Sequence, residues 1–415
     1  MTYAPLTIQN AQVLLPSGEL ASRDVAIAAG KITAVGTRLE LPANIQTING
    51  SGLTLLPGVI DPHVHFREPG LEQREALLTE TSACAKGGVT SFLAMPNTLP
   101  HTTTQTDLIG QLAIAADTSL VNYSFFVGAT SEKLDSLHQA EPPCGIKIFI
   151  GATHGPHSLD TAEALEPIFE TGDCLIAAQV EQQPETDLAR IEMALRLAKK
   201  HQRRLHLLQL ANGDEAELLR RDKPSWVTAE VTPQHLLFEM SAYEKIGTLA
   251  QVEPPLKSVR DRELLWQALL DGIIDFIATS HTSYPLKERE QSHSDAPLRM
   301  PGVETALPLM LTQAKENRCT IAQVSHWMST AVAQAYQIPA KGLIEPGYDA
   351  DLVLVDLSTY RPVRREELKT KCGWSPFEGW KLTGWPVVTI VGGQIVYDRG
   401  NINTAVRGKA LQFGS

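Results

Sequence analysis

Residues 57–70 read PGVIDPHVHFREPG. A short apolar run ends in two histidines and an arginine, then meets a Gly/Pro-rich turn. Seven runs of similar length follow: TSFLAMPN, VNYSFFVGA, CGIKIFIGA, CLIAAQVE, RLHLLQLAN, WVTAEVTP and DFIATSH. Each has the length of a buried strand, and continuous apolarity rather than alternation suits parallel strands covered on both faces. The intervening segments have helical spacing; after CLIAAQVE, Leu188, Ile191, Leu195 and Ala198 fall on one helical face. Eight strand–helix repeats predict an α/β fold, a (β/α)8 TIM barrel, with a doubly wound sheet as the competing architecture. Polar residues gather at the ends of the runs: His63, His65, Asn97, Lys147, Gln179, Gln209, Ser280 and His281. In a TIM barrel those ends form the active face.

The two ends of the chain read differently. LTIQNAQVL and VAIAAGKITAV alternate apolar and polar residues as antiparallel strands do, and LVLVDL reads as another strand. TIVGGQIVYD is two β runs joined by Gly392-Gly393, a hairpin signal. The expected organisation is a discontinuous small β-sandwich domain from residues 1–56 and 346–415, beside a barrel of residues 57–345.

Bulk properties narrow the function classes. Hydrophobic residues at 43% and charged residues at 20% are ordinary for a globular chain. The formal net charge of −11 disfavours nucleic acid or an anionic membrane as partner. No stretch has the length and apolarity of a membrane span, and the N-terminus lacks a signal-peptide pattern. Cys84, Cys144, Cys174, Cys319 and Cys372 are scattered without metal-binding spacing, which fits reduced thiols in a cytoplasmic protein.

His63 and His65 sit two apart on a strand, so both imidazoles project to one face and can hold one divalent metal; neutral imidazole suits zinc. Arg67 lies two residues on, where a guanidinium can take a substrate carboxylate bidentately. Lys147 stands alone among apolar neighbours; its amine either reaches a carboxylate at the barrel mouth or is carboxylated to bridge two metals. His154 and His157, in the following loop, can also reach the mouth.

PGVIDPHVHFREPG, AMPNT, VTAEVTPQHLLF, EPPLKSVRDRELL, ATSH and KCGWSPFEGW together resemble the dihydroorotase branch of the cyclic amidohydrolases. The matches span residues 57–380 in order. That family interconverts dihydroorotate and carbamoyl aspartate on a two-zinc site. The resemblance implies His63 and His65 as metal ligands, Lys147 as a bridging carbamate, and Arg67 and Asn97 as substrate contacts.

Several positions depart from the family pattern. Gln179 and Gln209 stand where the resemblance calls for metal-binding histidines, and a neutral amide is a poor replacement for imidazole. Ser280 replaces the aspartate that would bind metal and shuttle the proton, a role typically contributing ~10²–10⁴ in rate. Glu253 replaces a ring-contacting asparagine, and Tyr284 a histidine. The sequence therefore predicts a dihydroorotase-like cyclic amidohydrolase of pyrimidine biosynthesis with one zinc or none and low or absent activity. Three alternatives stay open. One is a site rewired through His154, His157, His281 or Glu181. Another is a hydrolase of a different cyclic amide, such as a hydantoin or allantoin. The last is a non-catalytic homologue, expected to be a homodimer, that partners aspartate transcarbamoylase.

Overall fold

A computed structural model describes residues 4–40, 45–130, 143–151, 159–180, 187–292 and 296–414. All eight apolar runs form strands, taken here as barrel strands 1 to 8. They are Val59–His65, Val89–Ala94, Asn122–Phe125 with Val127–Gly128, Ile146–Ile150, Ile176–Val180, Leu205–Leu210, Val227–Val231, and Phe276–Ile277 with His281–Thr282. Every neighbouring pair is parallel. Strands 3 and 8 are each split, with one half in each of two arcs, and strand 8 closes the ring by pairing His281 with Val64. The molecule is a TIM-barrel α/β protein, as the eight repeats predict.

The helices cover the barrel as the periodicity requires. In Asp187–His201, Ile191, Leu195 and Ala198 are buried against the core. Leu188 departs from the expectation: it lies in the first turn and stays 39% exposed. The helix Gly213–Asp222 starts directly after strand 6 on a reciprocal cap, with Asn212 Oδ1 accepting from Glu215 N and the Glu215 carboxylate accepting from Asn212 N. That arrangement satisfies backbone donors the helix itself cannot.

Strands from both chain ends form one nine-stranded sheet. Its junction is Thr54–Pro57 paired antiparallel with Leu352–Asp356, and Thr54–Pro57 runs on into barrel strand 1. The Gly392-Gly393 turn joins Trp385–Val391 to Gln394–Asp398, with both glycines at positive φ (53° and 77°), as a tight hairpin demands. Asp351 ties sheet to barrel: one carboxylate oxygen accepts from Gly392 N (2.7 Å), the other from Asn122 Nδ2 (3.0 Å) and from Lys341. The five cysteines are free, and no described helix is long and apolar enough to cross a membrane.

Glu304 fastens the C-terminal connection to the barrel. Its carboxylate accepts from Lys86 Nζ (2.8 Å), Lys369 N (2.9 Å) and Thr370 N (3.0 Å), and Lys86 and Glu304 are both buried. Removing one partner of a buried pair strands the other charge in low dielectric. Glu304→Ala should therefore cost about 3–5 kcal/mol in urea unfolding; a loss below about 1 kcal/mol would show that water replaces the carboxylate freely.

Candidate active site at the barrel mouth

The alternation of strand 1 places His63 and His65 on the barrel interior, where both are buried. Their Nε2 atoms face each other at 3.0 Å, the convergence expected of a ligand pair. What surrounds them is not a metal-ligand shell. Arg299 donates from Nη1 to His65 Nε2 at 3.0 Å and reaches Ser280 Oγ at 3.4 Å. Arginine has only donors, so His65 Nε2 is the acceptor there, and its Nδ1–H faces Asn97 Oδ1 at 2.7 Å. On its other side, His63 Nδ1 is hydrogen-bonded with Glu230 Oε1 at 2.5 Å.

Glu230, from strand 7, is the hub of the inner layer. Its second oxygen meets His206 Nε2 at 3.0 Å, while His206 Nδ1 bonds Thr228 Oγ1 at 2.9 Å and the ring stacks on Phe276. Burial pushes His63 down to about 4 and His206 down to about 3, against the pull of neighbouring carboxylates. His65 is held well below the usual imidazole range by burial and then by the Arg299 charge. Asp61, buried beneath, rises to about 7 and accepts from Thr279 N and Oγ1.

The other expected site residues are present but differently engaged. Among the described residues the Lys147 amine reaches no carboxylate; it donates to Gln179 Oε1 (2.9 Å) and lies over the Phe149 ring (4.6 Å). Its pKa is driven well down by burial and by Arg299. Both amide atoms of Gln209 are buried without a hydrogen-bond partner among the described residues. Gln209 and Ser280 both adopt left-handed backbone (φ 57° and 51°), a conformation costing a non-glycine residue on the order of 1 kcal/mol. Asn97 is spent on His65. Arg67 is buried, stacks on Tyr284 (4.7 Å) and has an Nε without a partner among the described residues; Arg74 covers the same ring at 4.9 Å. His281 Nδ1 accepts from Gly302 N (2.9 Å) and its Nε2 meets Ser283 Oγ, so His281 serves the loop and does not complete a ligand set. His154, His157 and Glu181 lie outside the described residues.

The described residues do not fit a metal. Among the described residues no group of three or more His, Cys, Asp or Glu side chains could hold one. A cation entering between the histidines would displace a guanidinium hydrogen-bonded to one of them and stand beside Lys147 and Arg299 with no carboxylate at position 280. A cavity of about 130 Å³ is lined in part by Asn97, which bonds His65, and by Gly128 and Phe149. A larger groove of about 470 Å³, lined by Lys86, Arg361 and Trp385 among others, shares none of these residues.

Comparison with known proteins places this geometry. Residues 52–138 match the dihydro-orotase-like family model, and residues 215–396 the amidohydrolase family. A dihydroorotase from Geobacillus thermodenitrificans is 32% identical, over 95% of this chain and 99% of its own length. One from Halalkalibacterium halodurans is 30% identical, over 94% and 98%. The chain belongs to the dihydroorotase family. Among solved structures, the L-hydantoinase (dihydropyrimidinase) of Arthrobacter aurescens superposes with a TM-score of 0.90 at 26% identity, covering 96% of this chain and 97% of its own. The dihydropyrimidinase of Brevibacillus agri, at 23% identity and TM-score 0.87 over 98% of each chain, shares the fold.

Sequence reasoning missed Glu230 and Arg299. The signal for Glu230 was available: a carboxylate inside the apolar run VTAEV requires a buried partner. Arg299 lies outside any regular element, and nothing in PLRMPG marks its side chain as turned inward.

Neutral burial of these histidines makes acid stability a test. His281 falls to about 3 through burial. A histidine with a depressed folded pKa gives stability that is complete above its unfolded pKa near 6.5 and is lost as pH falls towards the folded value. His281→Gln should therefore lose about 2 kcal/mol less than the unsubstituted protein between pH 7 and pH 5 in urea titrations. Equal losses in both proteins would place the acid sensitivity elsewhere.

Proposed function

We propose that this member of the dihydroorotase family has a degenerate metal site, binds no zinc, has low or absent cyclic-amide hydrolase activity, and works as a binding or assembly module. One observation carries the reading: the Arg299 guanidinium occupies the hydrogen-bonding position on His65 that a metal would require. The substitutions around it agree. Ser280 supplies neither a metal ligand nor a general base. Gln179 holds the Lys147 amine, which supports an unmodified lysine in place of a carbamate. Arg67 and Asn97, the substrate contacts implied by the family, are engaged with Tyr284 and His65.

A family member that keeps its barrel and sheet while its mouth is closed to metal retains its surface as the functional asset. Aspartate transcarbamoylase, which acts next to dihydroorotase chemistry, is the first partner to test, with this chain contributing as a homodimer in the cytoplasm.

Protein expressed with ample zinc should carry less than about a tenth of an equivalent and leave dihydroorotate and carbamoyl aspartate unconverted. The triple substitution Gln179→His, Gln209→His, Ser280→Asp should still bind little zinc, and adding Arg299→Ala should raise zinc content severalfold. Stoichiometric zinc with turnover at ordinary enzymatic rates (about 1–10³ s⁻¹) in the unsubstituted protein would overturn the reading. Co-migration with aspartate transcarbamoylase on size exclusion tests the partner separately.

A further inference from the structure

At the end of the barrel opposite the mouth, a whole guanidinium is buried without an acceptor. Gln202, at a positive φ of 50°, follows the helix Asp187–His201, and the turn brings Arg203 N back to Ala198 O (2.9 Å). Arg204 O then accepts from Ile176 N (3.0 Å), which fixes the entry of strand 6 against strand 5. Arg203 is 3% exposed, and its Nε, Nη1 and Nη2 have no hydrogen-bond partner among the described residues. Its neighbour Arg204 is satisfied, donating to Gln337 Oε1 (2.7 Å) and Ala335 O (2.6 Å). A buried cation is costly until an anion joins it.

Cys174 stands in the same register. Strand 5 pairs Ile176 with Leu205 of strand 6, so Cys174 and Arg203 each lie two residues before a paired position. Cys174 is half-buried, whereas the other four cysteines are buried. Burial pushes its thiol above the ordinary range, against the pull of Arg203 and Arg204. The resting thiol is therefore neutral and gives Arg203 no counter-charge. Asp173, next in the chain, is exposed to solvent and does not bond Arg203.

We infer that Cys174 is a site of oxidative modification by hydroperoxides, and that the sulfur oxyanion so formed pairs with the buried Arg203 guanidinium. The thiol gives up its proton and its sulfur attacks one peroxide oxygen. The S–O bond forms as the O–O bond breaks, and the departing hydroxide takes up a proton to leave as water. Sulfur is oxidised to the sulfenic acid while the peroxide is reduced; a second equivalent of peroxide gives the sulfinate by the same exchange. The guanidinium acts at both stages. It favours the attacking thiolate over the thiol, and it then donates charge-assisted hydrogen bonds to the oxyanion. Cys144 lies in matching register on strand 4, which pairs Ile146 with Ile176, so capture of the oxidised sulfur as a disulfide is the competing product.

The test treats the reduced full chain with hydrogen peroxide and follows each cysteine by peptide mass spectrometry. Cys174 should gain one oxygen and then a second before the other four react, and the oxidised protein should melt about 2 °C above the reduced one. Arg203→Met should slow oxidation of Cys174 severalfold and abolish the rise in melting temperature. Circular dichroism establishes that the variant folds; if it does not, Arg203→Lys, which keeps the charge but loses the fork, should retain part of both effects. Without any oxidant, Cys174→Asp should melt above Cys174→Ser, because it supplies the counter-charge directly. Oxidation of Cys174 no faster than that of the buried cysteines overturns the site. A Cys144–Cys174 disulfide as the main product overturns the oxyanion. An unchanged rate and melting shift in a folded Arg203→Met protein, or Cys174→Asp melting no higher than Cys174→Ser, overturns the pairing with Arg203.

Discussion

The hydrogen bond from Arg299 Nη1 to His65 Nε2 decides the chemistry of the whole mouth. An imidazole can give its lone pair to a metal or to a donor, not to both. Once Arg299 holds that lone pair, the His65 tautomer is set, and its Nδ1–H faces Asn97 Oδ1. A ligand pair thereby becomes a relay of donors and acceptors running from Asn97 to Glu230 and His206. Buried polar groups are tolerable when they satisfy one another in this way.

Charge accounting explains why the changes occur together. A catalytic two-metal site balances four positive charges with anionic ligands. Here the position expected to supply a carboxylate is Ser280, Lys147 is held by a neutral amide, and one guanidinium stands where the metal charge would be. Each change alone would leave an unpaired charge or an orphaned ligand, at a cost of several kcal/mol in a buried site. Gln209, whose two amide atoms have no partner among the described residues and whose backbone is left-handed, is the member still poorly accommodated.

Most of the fold was legible in the sequence because it rests on apolar periodicity and turn chemistry, both local. The eight runs and the Gly392-Gly393 hairpin show this directly. Leu188 was misjudged because helical spacing does not reveal where a helix first meets the core. The site was legible by half. His63, His65 and Lys147 announce themselves as polar residues within apolar strands, and Gln179, Gln209 and Ser280 by contrast with a family pattern. Glu230 follows the same rule and was overlooked. Arg299 could not be seen, since its inward direction depends on how an irregular segment folds over strand 8. That long-range contact, not the local pattern, sets a guanidinium against His65.

The account turns on what lies between His63 and His65. Crystals soaked in zinc and measured at the zinc absorption edge address it directly. The account predicts no anomalous peak in the barrel mouth and density for a guanidinium against His65 Nε2. A peak within coordination distance of both Nε2 atoms, with Arg299 swung away, would contradict it.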